Sequence, residues 1–411
     1  MPMLDLIGRL HGAKPEAAAM LGFVNLGHAY AHLFMLLFPT AVLAIEQAWG
    51  QSYADLLPLG FAGYLLFGLG SLPAGWLGDR WNSRAMMALF FLGTGGATIL
   101  TGLATGPWML ALGLTLIGLF ASIYHPVAIA WLVGATETPG RALGANGVYG
   151  ALGTGGAALV AGLLADLAGW RAAFLVPGLV CLATGLAFVA GVFGGKLRMD
   201  RASYARPAGG AAATSLNRGL FLLFGAILFA GLVFQMMSIG LPKIFQARLG
   251  DTIGFSATAA GTLVSLVYLI SALGQLAGGW LADRYEERRI YLLSYTLQVL
   301  LLAAAAATGN LLLVGIVALA VAIQTGTQPV ENCLIASYTP EAWRATAYGA
   351  KFVLALGLSA LGVPLLAWSY GATGDFALAF LLMLAFCLVP ILVSLALPAR
   401  RTVVAAPVPA E

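Results

Sequence analysis

The chain has 411 residues, of which 61% are apolar and only 9% charged, with a net charge of +4. A soluble protein of this length needs roughly a quarter of its residues charged to keep its surface in water, so that class is excluded. So little polarity also excludes disorder, and three cysteines exclude a disulfide scaffold.

A bilayer-spanning helix takes about 20 mostly apolar residues. Twelve such runs follow one another, roughly at 19–45, 54–77, 85–104, 108–133, 143–165, 172–194, 219–242, 256–281, 290–308, 311–336, 344–369 and 374–397. They are long and rich in Leu, Ala and Gly, without the period-two alternation of a membrane barrel, so the expected class is all-α. The first run is too long for a signal peptide and is read as span one. With the amino terminus placed inside, the basic residues divide 16 inside, 3 outside (Arg171, Lys243, Arg248) and one embedded (Lys351). Positive residues favour the cytoplasmic side, which predicts that both termini are cytoplasmic. The basic residues then face anionic lipid, and no nucleic-acid partner is expected.

The connection 195–218 holds Gly-Gly, Pro207 and five basic residues and reads as a cytoplasmic linker. It separates an amino-terminal half, 1–194, from a carboxy-terminal half, 219–411. The halves repeat each other. Gly75-Trp-Leu-Gly-Asp79-Arg80 recurs 204 residues later as Gly279-Trp-Leu-Ala-Asp283-Arg284, with Tyr64, Leu69 and Gly70 meeting Tyr268, Leu273 and Gly274 at the same shift. At a shift of 203, Pro126-Val127 meets Pro329-Val330 and Arg141-Ala142 meets Arg344-Ala345. Parallel repeats of this kind place a transport site near the membrane midplane between the halves.

Ionisable side chains inside a membrane are costly and are functional candidates by default. Glu331 in span ten and Lys351 in span eleven lie at similar depths, close enough for an ion pair. The repeat sets Ala128 and Val148 opposite them, so the pair belongs to the second half alone. Glu331 is the first candidate for proton handling. His28, His32 and His125 are the other proton candidates. His28 and His32 stand four apart on one helix face, the spacing of two metal ligands. No Cys or Asp in the spans completes a set of three or four, and no metal or cofactor is expected. Cys181, Cys333 and Cys387 read as separate core thiols. Pro126 and Pro329, preceded by His125 and Gln328, each free a backbone carbonyl and can kink their spans.

Gly75-x-x-x-Asp79-Arg80 with Arg84, and its second copy, resemble the signature loop of the major facilitator superfamily. Gly169-Trp-Arg-x-x-Phe174 resembles the family at the start of span six. The resemblance implies the major facilitator fold of two six-helix pseudo-repeats, in which spans one, four, seven and ten line a central cavity. The polar residues of those spans are Asn25, His28, His32, Tyr124, His125, Gln235, Gln324, Gln328, Glu331 and Asn332. With Lys351 they form the expected substrate and proton site. The resemblance also makes Asp79, Arg80, Arg141, Asp283, Arg284 and Arg344 a cytoplasmic gate. The early His of span one and Tyr124-His125-Pro126 are similar to the fosmidomycin-resistance exporters, although Val127 stands where they carry Glu. Span five has the glycines of antiporters in the superfamily without their Gly-Pro pair.

No phosphate loop, nucleophile elbow or zinc-protease motif is present, so no enzyme activity is expected. The expected function is proton-coupled export of a small polar or anionic organic compound by a monomer in the lipid of a bacterial inner membrane. An importer or uniporter of a metabolite such as a carboxylate is the alternative of the same class. A non-transporting receptor or assembly factor is the alternative of another class, and a lipid-handling variant is a further one.

Overall fold

The computed structural model describes residues 15–134, 139–195, 218–339 and 344–397. The linker expected at 195–218 lies almost wholly outside them. Among the described residues twelve helices are long and apolar enough to cross a membrane. They are α1 (Ala18–Trp49), α2 (Tyr53–Gly78), α3 (Ser83–Gly102), α4 (Pro107–Ile129), α5 (Ala142–Ala168) and α6 (Ala172–Phe193) in the first half. The second half holds α7 (Arg218–Ile253), α8 (Ala257–Ala282), α9 (Glu287–Ala307), α10 (Leu312–Tyr338), α11 (Ala347–Thr373) and α12 (Ala377–Ala396). By alternation, the connections after the even-numbered helices share one end of the bundle, here the linker end. The connections after odd-numbered helices share the opposite end.

Lipid offers helices no hydrophobic drive to associate, so small residues that let backbones approach take that part. α8 and α10 meet where a methyl group on Gly278 would overlap the carbonyl oxygen of Gly326, and one on Gly274 that of Ala322. α2 and α4 meet in the same way at Gly63 and Gly118. α5 carries much of the junction between the halves: Gly162 sits against the Ala257 carbonyl, and Ala158 against Gly261 of α8. Gly153 admits α1 at Ala29, whereas Gly144, Gly147 and Gly156 face open space. The glycines of span five therefore serve packing in part and leave the rest of one face clear. Cys181 and Cys387 are buried free thiols, as expected of core residues.

Two of the interrupted helices break beside polar groups. α4 breaks at Ser122–Ile123, one turn before Pro126, as the missing backbone donor there allows. α11 changes to a π-turn at Val353–Gly357 and a 3-10 turn at Leu358–Leu361 directly after Lys351 and Phe352. Single π-turns inside α-helices concentrate at functional positions. α10 runs unbroken through Pro329.

The seventh span is longer than hydropathy implies, reaching Ile253 instead of about 242. Lys243 and Arg248, expected in an outside loop, therefore lie within α7, and charged groups inside the helices are not confined to Glu331 and Lys351. Both are tolerated because they are paired. Arg248 holds Asp375 with two bonds, Nε to Oδ1 at 3.0 Å and Nη2 to Oδ2 at 2.7 Å. It also donates to the carbonyls of Ala305, Ala306 and Thr308, capping the end of α9.

Replacing Gly278 by Ala forces α8 away from α10 and should cost about 1–3 kcal/mol, read as a lower melting temperature in detergent. Gly279→Ala meets nothing within 4 Å and should be neutral or stabilise by up to about 1 kcal/mol. The Arg248 hydrogen bonds hold the Asp375 carboxyl down to about 2. A lowered carboxyl stabilises the fold above its unfolded value of about 3.9, and this stabilisation is lost as pH falls through about 2. Melting temperatures of wild type and Asp375→Asn should therefore converge on acidification, with wild type falling more steeply.

Candidate functional site

A cavity of about 340 Å³ lies between the halves. It runs from Met35, Tyr64 and Ser238 at mid-depth to Gly147, Glu331 and Lys351, one to two turns from the linker ends of their helices. Of the polar candidates, His28, His32, Gln235, Gln328, Glu331 and Lys351 line it. The size suits a small organic molecule, and much of the wall is apolar.

Glu331 and Lys351 form the ion pair their depth suggests, with Lys351 Nζ 2.8 Å from Glu331 Oε1 and both side chains about 95% buried. All three ammonium hydrogens and both carboxylate oxygens have partners. The Tyr291 hydroxyl donates to Glu331 Oε2 at 3.1 Å, and Lys351 Nζ donates to Asn332 Oδ1 at 2.7 Å and Gln328 Oε1 at 3.3 Å. Such saturation is what makes a buried pair tolerable, since each ion forfeits several kcal/mol of hydration.

His28, His32 and His125 converge, with ligand nitrogens all within 4.8 Å of one another. Spacing alone joins the first two; the fold brings His125 of α4 against them. His28 Nδ1 donates to the Asn146 carbonyl at 2.8 Å, and its ring stacks on Tyr124 at 5.2 Å. Gly150 makes room for that ring, because a Cβ there would stand 2.7 Å from it.

Asn25, Tyr124 and Gln324 are buried beside the cavity instead of lining it. Asn146 donates to Asn25 Oδ1 and to the Tyr124 hydroxyl, which is also bonded to the Val24 carbonyl. Asn25, Tyr124 and Asn146 thus link α1, α4 and α5, and Gln324 donates to the Ala230 carbonyl of α7 at 3.5 Å. Asn332 does not line the cavity either; its Oδ1 accepts from Lys351 Nζ. Spacing and span number miss several polar lining residues: Tyr64, Thr154, Ser238, Tyr268, Ser271, Gln275 and Thr325. Tyr268, which donates to or accepts from Ser238 at 2.7 Å, was visible only as a repeat mate of Tyr64.

Hydrogen bonds join the halves at the opposite end. Lys243 Nζ pairs with Glu46 and is flanked by the rings of Tyr53 and Tyr370 at 5.6 and 5.8 Å. Asp166 accepts from the backbone of Ala257 and Thr258 at 3.2 and 2.8 Å, capping the positive start of α8. At the linker end, Arg80 and Arg284 lie over Trp76 and Trp280 at 4.5 and 4.3 Å, a contact that follows the sequence repeat. Asp283 is exposed. The side chains of Asp79, Arg141 and Arg344 lie outside the described part.

The family model of the Major Facilitator Superfamily matches residues 23–252 and 244–411. The chain is similar to the puromycin resistance protein pur8 of Streptomyces alboniger, 39% identical over 116 residues, which is 28% of this chain and 22% of that protein. It is similar to a gallate transporter of Pseudomonas putida, 24% identical over 351 residues, 76% of each. It also resembles the membrane sensor protein UhpC of Salmonella typhimurium, 25% identical over 280 residues, 63% of this chain and 62% of that protein. Among solved structures, an inward-facing, unoccupied bacterial homolog of the human lysosomal transporter Spinster superposes with a TM-score of 0.75 at 15% identity, over 93% of this chain and 96% of that one. That likeness carries the fold alone. Twelve apolar helices, two repeated halves and a cavity with polar side chains between them agree with the family match over nearly the whole chain: the protein belongs to the Major Facilitator Superfamily of membrane transporters and is not an enzyme.

Proposed function

We propose that the protein is a proton-coupled carrier of a small organic anion, working by alternating access in a bacterial inner membrane with both termini cytoplasmic. The observation that carries this reading is the saturated Glu331–Lys351 pair on the cavity wall. Lys351 is occupied as long as Glu331 is ionised. A proton on Glu331 removes the counter-charge and leaves an ammonium for an incoming carboxylate. Proton and anion then bind together and move together, so the inward proton gradient drives uptake. The similarity to a gallate transporter, over three quarters of its length, supports an organic-anion substrate.

Export, the first expectation from the sequence, is the second reading. It is favoured by the similarity to a resistance protein and by the His-Pro pair at His125. It requires a substrate that competes with the proton for Glu331. The two readings differ in the sign of the pH effect. In proteoliposomes, an acidic exterior should drive accumulation of a labelled aromatic carboxylate such as gallate if the first is right. An acidic interior should drive accumulation if export is right. Indifference to the gradient removes proton coupling from both. Glu331→Gln should lower gradient-driven accumulation by about tenfold or more, equivalent to at least 1.4 kcal/mol, while exchange down a substrate gradient persists.

Alternating access also needs two gates. Our reading is that the contacts of Glu46, Lys243 and Asp166 close the opposite end and that substrate reaches the cavity from the linker end. On this reading the molecule is in its inward-open state, and Asp79, Arg80, Arg141, Asp283, Arg284 and Arg344 form their latch only in the outward-open one. Asp79→Asn should impair transport severalfold with membrane insertion and melting temperature unchanged. Full transport by that variant removes the latch.

A further inference from the structure

We propose that His28, His32 and His125 bind a transition-metal cation of the zinc class in the cavity wall. This goes beyond the transport reading and depends on neither the direction of flux nor proton coupling. Four histidines occur in 411 residues, and three of them, His28 and His32 on one helix and His125 far along the chain, meet with their ligand nitrogens within 4.8 Å of one another. The ring centroids form a near-regular triangle of 5.0, 5.4 and 5.4 Å. His125 is T-shaped to both others, at 88° and 81°, an arrangement that leaves one ligand nitrogen of each ring within 4.8 Å of the other two. In tetrahedral coordination with metal–nitrogen bonds of about 2.0–2.1 Å, the nitrogens stand about 3.3 Å apart, a closure within reach of small side-chain rotations.

The surroundings hold the donors as a metal site requires. A carbonyl oxygen only accepts, so His28 Nδ1 carries the hydrogen donated to Asn146, and Nε2 keeps its lone pair for a ligand. A backbone carbonyl on the far nitrogen is the contact that orients metal-binding histidines and raises their basicity. Tyr124, itself fixed by the Val24 carbonyl, backs the His28 ring, and Phe67 backs His125 with ring centroids 5.7 Å apart. No carboxylate belongs to the cluster. Three neutral imidazoles suit Zn²⁺, Co²⁺, Ni²⁺ or Cu²⁺ and are poor ligands for Mg²⁺ or Ca²⁺. Three protein ligands leave a fourth position, which opens on the cavity that His28 and His32 line. A cation there adds a second anchor for an oxygen-donor anion.

The test uses the full-length protein with any affinity tag removed, stripped with chelator and titrated in detergent with Co²⁺ alone, then with Zn²⁺ in competition. The expected result is one Co²⁺ per chain, with the visible ligand-field bands of a four-coordinate site, displaced by Zn²⁺. His32→Gln and His125→Gln should each weaken binding by about tenfold or more, and His11→Gln should leave it unchanged. Gly150→Ala, which crowds the His28 ring, should weaken it as well. Size-exclusion profiles and thermal melts certify each variant as folded. Failure to bind Co²⁺ or Zn²⁺ stoichiometrically at micromolar concentration overturns the proposal. So does binding that survives in folded His32→Gln or His125→Gln.

Discussion

A carboxylate and an ammonium cannot sit unpaired between apolar helices, and much of the interior follows from that constraint. Glu331 and Lys351 bring three neutral partners with them: Tyr291 from α9, and Gln328 and Asn332 from the same face of α10. The pair therefore ties α9, α10 and α11 together around one charge-neutral knot. Immediately beyond it α11 leaves regular α geometry, and at Gly357 it lies against Gly68 of α2, across the junction of the halves. A helix that is irregular between an ion pair and a tight backbone contact has more than one way to settle, which a two-state carrier needs.

The same rule governs the ends of the bundle. Lys243 and Arg248 lie in helical turns that hydropathy assigns to water, because Glu46 and Asp375 with several carbonyls accept their hydrogens. Asp166 does the converse, placing negative charge at the start of α8. Charge is thus admitted wherever a partner from another helix awaits it. Small residues set how near those helices come: Gly162 and Gly261 at the junction, Gly278 and Gly326 within the second half.

Much of this was legible in the sequence. Twelve spans follow from runs of apolar residues too long for any other structure, and the duplication from motifs recurring at nearly one shift. The Glu331–Lys351 pair was legible because two lone charges at one depth have few other solutions. What escaped is tertiary. The extension of α7 is hidden because hydropathy counts Lys243, Gln246 and Arg248 as polar without seeing their partners. His125 joins His28 and His32 through the packing of α4 on α1, which no spacing encodes. Tyr291 lies in span nine, outside the four spans expected to line the cavity. Asn25 and Tyr124 carry the right chemistry in the right spans, yet their side chains turn to Asn146.

The central claim is that a proton on Glu331 and an anion on Lys351 bind as a pair. Proton movement on binding measures it most directly. Purified protein in weakly buffered detergent, mixed with a saturating aromatic carboxylate, should take up one proton per molecule bound, and Glu331→Gln should take up none. Carboxylate binding that takes up no proton, or that takes up the same amount in the Gln variant, would contradict the account.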